Sequence, residues 1–329
     1  KTKIKARIMI GRICGTGSCL PRTVWTNEKL EELVDTSGQW IEERTGICER
    51  HIAEEEETTA YLASEAAKEA VLESGLKAQD IDLILVATIS PGRVMPGVAC
   101  EVQKNIGASN ATCFDLNAAC TGFLFALNTA QAYIAQGIYK NALVIGAENL
   151  SNLTNWKDRG TCILFGDGAG AVVVKGEAEG LYEQVTHSIG EKGEVLTLTD
   201  RNQKKYEASP NAPETYMQMD GKAVFQFAVT KVPEAVREVL EKAGMKKEEV
   251  SFYILHQANE RIILSAAKRL GESMEKFPVN MKKYGNTSSA SIPILLDELN
   301  KKGAFKRGEN IVLSGFGAGL SYGASILKW

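Results

Sequence analysis

The residues best placed to do chemistry lie in three short stretches. The first runs Asp115-Leu116-Asn117-Ala118-Ala119-Cys120-Thr121-Gly122-Phe123. A strand-like lead gives way to small residues and a cysteine. Apolar residues then recur at helical spacing, at Phe123, Leu127, Ala130 and Ile134. This pattern predicts a sharp strand-to-helix turn that carries the thiol of Cys120 in the first turn of a helix, the serine nucleophile elbow with sulfur in place of oxygen. Unpaired N–H groups and the positive end of the dipole favour a thiolate there. The dipole is worth roughly 0.3–2 kcal/mol, which lowers a thiol from pKa ~8.5 to about 7 at best. A second group is therefore wanted, usually a histidine. The plainer alternative is an inert core cysteine, against which the small neighbours leave the sulfur accessible.

The second stretch, Phe252-Tyr253-Ile254-Leu255-His256-Gln257-Ala258-Asn259, puts a histidine at a strand end ahead of a helix. The third, Gly285-Asn286-Thr287-Ser288, reads by itself as a turn with an N-cap. Each is weak alone, and the elements around them supply the link. Apolar strands at 81–88 and 142–146, the Cys120 helix, and 162–165 with 171–174 around Gly166-Asp167-Gly168-Ala169-Gly170 make up a first half. The second half repeats the plan. Residues 252–256 answer 83–88, Asn286 opens a helix before Gly303 as Cys120 does before Gly137, 311–315 answer 143–146, and Phe316-Gly317-Ala318-Gly319 answers Phe165-Gly166-Asp167-Gly168. A duplication of α/β units follows. Pseudo-twofold packing would bring Cys120, His256 and Asn286 to one point where strand ends meet helix starts. A strand at 4–14, helices at 26–34, 58–75 and 96–106, and a lid or insertion at 190–211 complete the expectation.

The totals exclude several classes. A net charge of -3 gives no reason to expect nucleic acid. The basic start, Lys1 to Ile10, lacks the apolar core of a signal peptide, and no apolar run has the ~18 residues of a membrane span. The seven cysteines, all within the first half, form no C-x-x-C, and the three histidines are scattered. Free thiols in a reducing cytoplasm and no bound metal are expected.

Several motifs in order make the chain resemble the thiolase superfamily of condensing enzymes, most closely the 3-oxoacyl-acyl-carrier-protein synthase III family. They are Trp40 to Gly46 with Glu49-Arg50-His51, Ala118-Ala119-Cys120-Thr121-Gly122-Phe123, Asp158-Arg159-Gly160-Thr161, Phe165 to Gly170, His256-Gln257-Ala258-Asn259, Gly285-Asn286-Thr287-Ser288 and Phe316 to Gly319. An asparagine at 286 resembles this branch rather than the Cys-His-His elongating enzymes. The resemblance implies an α/β thiolase-like fold of two pseudo-twofold-related, mixed five-stranded sheets in a five-layered αβαβα arrangement. Its halves would be 1–178, with the cysteine, and 179–329, with the histidine and asparagine. It implies that Cys120 takes an acyl group from acyl-CoA, and that malonyl-acyl carrier protein loses CO₂ and attacks the acyl-cysteine. The N–H groups of Cys120 and Ala318 would form the oxyanion hole, and His256 and Asn286 would hold the enolate oxygen. Trp40 and Arg159 resemble the pair that holds adenine, Arg44 a phosphate contact, Asn259 a pantetheine contact and Gly221 the passage for the pantetheine arm. Arg261, Lys268 and Arg269, on one helical face, resemble a dock for an acidic carrier protein. Met95 stands where relatives carry a phenylalanine that closes a partner's acyl pocket, and Gln226 replaces a basic residue. A homodimer needing no cofactor is implied.

Three rivals remain. The string Gly166-x-Gly168-x-x-Ala171 fits a dinucleotide fingerprint, but Val172-Val173-Val174 after it read as a strand. A Cys-His-Asn hydrolase fits the residue order but must admit water. A sibling synthase or acyltransferase of secondary metabolism shares every motif.

Overall fold

The first half of the chain runs β1 (Ile10–Cys19), β2 (Thr23–Thr26), α1 (Asn27–Glu31), α2 (Gly38–Thr45), β3 (Glu49–Ile52), α3 (Thr59–Ser74), β4 (Leu83–Ala87), α4 (Val98–Ile106), β5 (Thr112–Leu116), α5 (Gly122–Ala135), β6 (Asn141–Glu148), α6 (Arg159–Cys162) and β7 (Gly168–Glu177). It continues through β8 (Tyr182–Ser188), β9 (Leu196–Thr197), β10 (Gln218–Met219), α7 (Gly221–Ala243), β11 (Val250–Leu255), α8 (Glu260–Leu270), α9 (Met281–Tyr284), α10 (Ser291–Lys301), β12 (Asn310–Gly317) and β13 (Ser321–Lys328). The computed structural model describes residues 8–198 and 216–329. The start of the expected first strand and most of the expected lid lie outside the described residues.

Local sequence accounts for the elements that matter to the site. Leu83-Ile84-Leu85-Val86-Ala87 is buried at every position, as a parallel strand covered on both faces requires. Thr58 caps α3 by accepting from the Tyr61 N–H, and Gly75 ends it at φ +71°, a left-handed conformation that glycine takes without a Cβ penalty.

One sheet has the order β1-β7-β6-β4-β5 and another β11-β12-β13-β8. In the first, β4 is parallel to β5 and β6, and β7 is antiparallel to β6 and β1. The second repeats this, with β11 parallel to β12 and β13 antiparallel to β12 and β8. Three apolar cores hold five layers together, the middle one spanning both faces of the central helices. α3 packs on the outer face of the first sheet. α5 and α10 lie between the sheets, and α7 and α8 cover the far face of the second. The fold is therefore the expected layered αβαβα frame. One count differs, since the second sheet has four strands among the described residues. At the position beside β11 that β5 holds beside β4, Phe277 stacks on Tyr253 and the Asn280 N–H donates to the Gln257 side chain at 3.1 Å. Side chains hold that segment in place of a backbone ladder. Among the described residues no helix is long and apolar enough to cross a membrane.

Candidate active site

Cys120 sits on a backbone built for exposure of a side chain. The chain leaves β5, turns through a 3₁₀ step at 119–121 and enters α5. Ala119 holds φ +46°, a left-handed value that costs a non-glycine residue roughly 1–2 kcal/mol. The Asn117 side chain steadies the turn by accepting from the Ala119 N–H at 3.3 Å.

The same device recurs before α10. Asn286 Oδ1 accepts from the Ser288 N–H at 2.9 Å, Ser288 holds φ +49°, and a 3₁₀ step at 288–290 leads into the helix. The match corrects the expected repeat. Asn286 corresponds to Asn117, and the counterpart of Cys120 is Ser289. Counting back from Gly137 and Gly303 misled because α5 has 14 residues and α10 has 11. Strand register carries the same correspondence further. Ala87 pairs with Gly146, and the His256 N–H extends the β11–β12 ladder to Ser314, so His256 answers Ala87 and Gly317 answers Glu148. Phe316 to Gly319 therefore does not answer Phe165 to Gly168, because 149–167 join β6 to β7 where only 318–320 join β12 to β13.

Cys120, His256 and Asn286 line one cavity of about 610 Å³, together with Ala318, Asn259 and Gly221. Each of the three is oriented by its surroundings. His256 is 1% exposed, its ring edge-on to Phe316 at 5.2 Å. Burial pushes its pKa down to about 3, so the ring is neutral. Ser291 Oγ accepts from the Gln257 N–H at 3.3 Å and lies 2.7 Å from His256 Nδ1. Donation by this hydroxyl to Nδ1 would leave Nε2 as the protonated nitrogen facing the cavity. Asn286 is pinned by backbone bonds to Leu164 and Gly166. Its oxygen is taken by Ser288, so its NH₂ is what the carboxamide offers the cavity. Burial pushes the Cys120 thiol up to about 11, further than the helix dipole can recover. Ser288 Oγ donates to Sγ at 3.3 Å. Among the described residues neither the Cys120 nor the Ala318 N–H donates to another residue's backbone.

Trp40, Arg44 and Arg159 are not among the residues that line this chamber. Gly160 lines the cavity, and its neighbour Arg159 lies over the Trp40 ring at 5.0 Å, with Arg44 at 5.8 Å. Asn259 donates to the Arg44 carbonyl and caps α8. Arg261, Lys268 and Arg269 are exposed on α8, and Arg261 covers Phe225 at the cavity wall. Met95 is 83% exposed and lies outside the lining of this chain's own cavity, where Val94 contributes to the wall. The Gly166-Asp167-Gly168 string is structural, with Asp167 accepting from the Ala53 and Ser151 N–H groups before β7. The sequence reading missed Ser288, Ser291 and Glu148. Aligning Asn117-Ala118-Ala119-Cys120 on Asn286-Thr287-Ser288-Ser289 would have drawn attention to the first.

The duplicated five-layer frame with an elbow cysteine is that of a thiolase-like acyltransferase. Two family profiles match, 3-oxoacyl-[acyl-carrier-protein] synthase III at 114–193 and its C-terminal part at 240–329. A beta-ketoacyl-[acyl-carrier-protein] synthase III of Clostridium acetobutylicum is 49% identical over 319 residues, 96% of this chain and 98% of that one. The crystal structure of 3-oxoacyl-[acyl-carrier-protein] synthase III from Aquifex aeolicus is 47% identical, with a TM-score of 0.90 over 97% of this chain and 100% of that one. A priming beta-ketosynthase from the R1128 polyketide pathway is 35% identical, with a TM-score of 0.94 over 100% and 99%. The chain belongs to the 3-oxoacyl-[acyl-carrier-protein] synthase III family.

Proposed function

We propose that this chain catalyses the decarboxylative condensation of an acyl-CoA primer with malonyl-acyl carrier protein, giving 3-oxoacyl-carrier protein, CO₂ and CoA, as the initiating step of fatty-acid synthesis. The observation that carries the reading is the opening of Cys120, His256 and Asn286 onto one cavity from opposite halves of the frame. Cys120 attacks the thioester carbonyl, and the oxyanion sits against the N–H groups of Cys120 and Ala318. CoA leaves and the acyl group stays on sulfur. Malonyl-carrier protein then enters, and its carboxylate departs as CO₂. The negative charge left on the thioester oxygen is met by the neutral Nε2–H of His256 and the NH₂ of Asn286, and the enolate carbon attacks the acyl-cysteine. A neutral imidazole suits this, because it donates without supplying a proton that would quench the enolate. We propose no cofactor beyond the CoA thioester itself.

Trp40 and Arg159 are suited to the adenine, Arg44 to a phosphate, and Gly221 and Asn259 to the pantetheine arm. Arg261, Lys268 and Arg269 suit an acidic carrier protein. The exposed Met95 fits a residue that meets a second copy in a homodimer, and a cytoplasmic location goes with these substrates. A second reading, priming of another synthase pathway, is favoured by the high overlap with the polyketide enzyme. Intact-protein mass spectrometry after incubation with a panel of acyl-CoAs, followed by malonyl-carrier protein, tests both. An acyl adduct on Cys120 that is discharged by malonyl-carrier protein is expected. An adduct discharged only by another acceptor would favour the second reading, and the absence of any adduct would remove both.

A further inference from the structure

Between the elements that carry Trp40 and Arg159 lies a buried cation that the condensation chemistry leaves unused. Arg50, on β3, is 0% exposed. Burial of a charge is costly unless its donors are satisfied. Arg50 is satisfied by neutral oxygens alone. Nη1 donates to the Trp25 carbonyl at 3.3 Å, and Nη2 to the Asn27 side chain at 2.9 Å and the Ile163 carbonyl at 3.0 Å. Burial lowers its pKa to about 10, so it stays charged at neutral pH. Its stem is wedged in place, since a Cβ added at Gly166 or Gly285 would lie 3.1 or 3.3 Å from the Arg50 Cβ.

The segments that own those oxygens give the residue its use. The Asn27 amide also donates to the Gly38 carbonyl at 3.3 Å and the Ile47 carbonyl at 2.9 Å. One side chain therefore holds both ends of α2, the helix that carries Trp40 and Arg44. Ile163 directly follows α6, the helix that begins with Arg159. The guanidinium thus bridges the two elements that bear the Trp40–Arg159 pair, in which Arg159 lies 5.0 Å from the ring centre. The same elements share an apolar cluster, Ile41 from α2 with Cys162 and Ile163. Apolar contact draws them together but is non-directional. A planar fork with directed bonds fixes their spacing, and the single nitrogen of a lysine on its flexible stem does not reproduce it.

We propose that Arg50 is the spacer of the CoA clamp, holding α2 and α6 at the separation that lets Trp40 and Arg159 close on the adenine, and so setting CoA affinity without touching CoA. This rests on the reading of Trp40 and Arg159 as the adenine contacts. Arg50 is a positioning residue, which acts through Asn27 on one side and Ile163 on the other. Its influence is confined to the nucleotide end of the ligand. The pantetheine arm is assigned to Gly221 and Asn259, and no bond of Arg50 reaches either.

The test is protection of Cys120 from iodoacetamide in the full chain, read by peptide mass spectrometry, with free CoA and with pantetheine as the protectants. Wild type is compared with Arg50→Lys, Arg50→Met and Asn27→Ala. Both Arg50 variants are expected to need about tenfold more CoA for half-protection, the scale of losing cation–π contacts to a ring, and the same pantetheine as wild type. Asn27→Ala frees only α2 and should shift CoA the same way by less. The alkylation rate without protectant should stay at the wild-type value. Wild-type CoA protection in Arg50→Lys would overturn the proposal, because charge alone would then suffice. Equal weakening of CoA and pantetheine would overturn it too, as general loosening of the chamber. Wild type protected no better by CoA than by pantetheine would remove the clamp itself. If the Arg50 variants do not fold, Asn27→Ala decides by the same comparison. The expected protection pattern in a protein that takes no acyl group from any acyl-CoA would sink the proposed function and leave the role of Arg50 standing.

Discussion

Cys120 and Ser289 occupy equivalent elbows with equivalent asparagines, left-handed turns and following helices. One opens on a chamber and the other is sealed. The difference lies in what the opposite half places across from each. Across from Cys120 stands Gly317, where an added Cβ would lie 2.8 Å from the Cys120 nitrogen. Across from Ser289 stands Glu148, whose carboxyl fills the equivalent space and bonds the serine. The histidine is equally one-sided, since its counterpart is Ala87. Duplication copied the backbone. A glycine against a glutamate, and a histidine against an alanine, decided which elbow opens on the chamber.

That comparison can be broken at its strongest point. Cys120→Ser gives the reactive elbow the side chain of the silent one, and no acyl adduct is expected by intact mass spectrometry. Its partner, Ser289→Cys, should stay unmodified by thiol reagents in the native protein. Labelling of a native Cys at 289 would show that position, and not chemistry, had been misjudged. Gly317→Ala crowds the N–H that would bind the oxyanion, so acylation measured in a single turnover should fall by roughly 10²–10³-fold, the effect of losing one such donor.

The division of labour is sharpened by His256→Ala and Asn286→Ala. Each removes a donor to the enolate and should slow malonyl decarboxylation by about 10²–10³-fold while slowing acylation much less. Equal losses in both half-reactions for Asn286→Ala would count against the assignment. A smaller effect follows from Glu148. Its folded pKa of about 6 lies above the ordinary 4.5, so the stability it contributes is complete below pH 4.5 and is lost as pH rises through about 6. The shift corresponds to about 2 kcal/mol. His256, held near pKa 3, works in the opposite sense as pH falls below 6.5. Denaturant titrations of wild type and Glu148→Gln across this window isolate the first, and the wild-type stability should decline relative to the variant as pH rises. Least affected is Trp40→Ala. Losing its cation–π contacts should raise KM for acyl-CoA about three- to tenfold with kcat little changed.

The sequence alone determined the family, the cysteine proposed as nucleophile and the layered class of fold. Small residues around Cys120 before a helical period, a histidine at a strand end and a Gly-Asn turn are local signals, fixed by turn chemistry and apolar spacing. The tertiary structure decided what those signals could not carry. Which residue answers Cys120 depends on strand register across a sheet, and counting glycines mistook Asn286 for Ser289. Met95 lies outside the lining of its own chain's cavity, a matter of loop path. Ser288 and Glu148 are ordinary in sequence and acquire meaning only by touching the same sulfur and the same turn. Local chemistry is written residue by residue, whereas proximity between distant residues arises only when the layers pack.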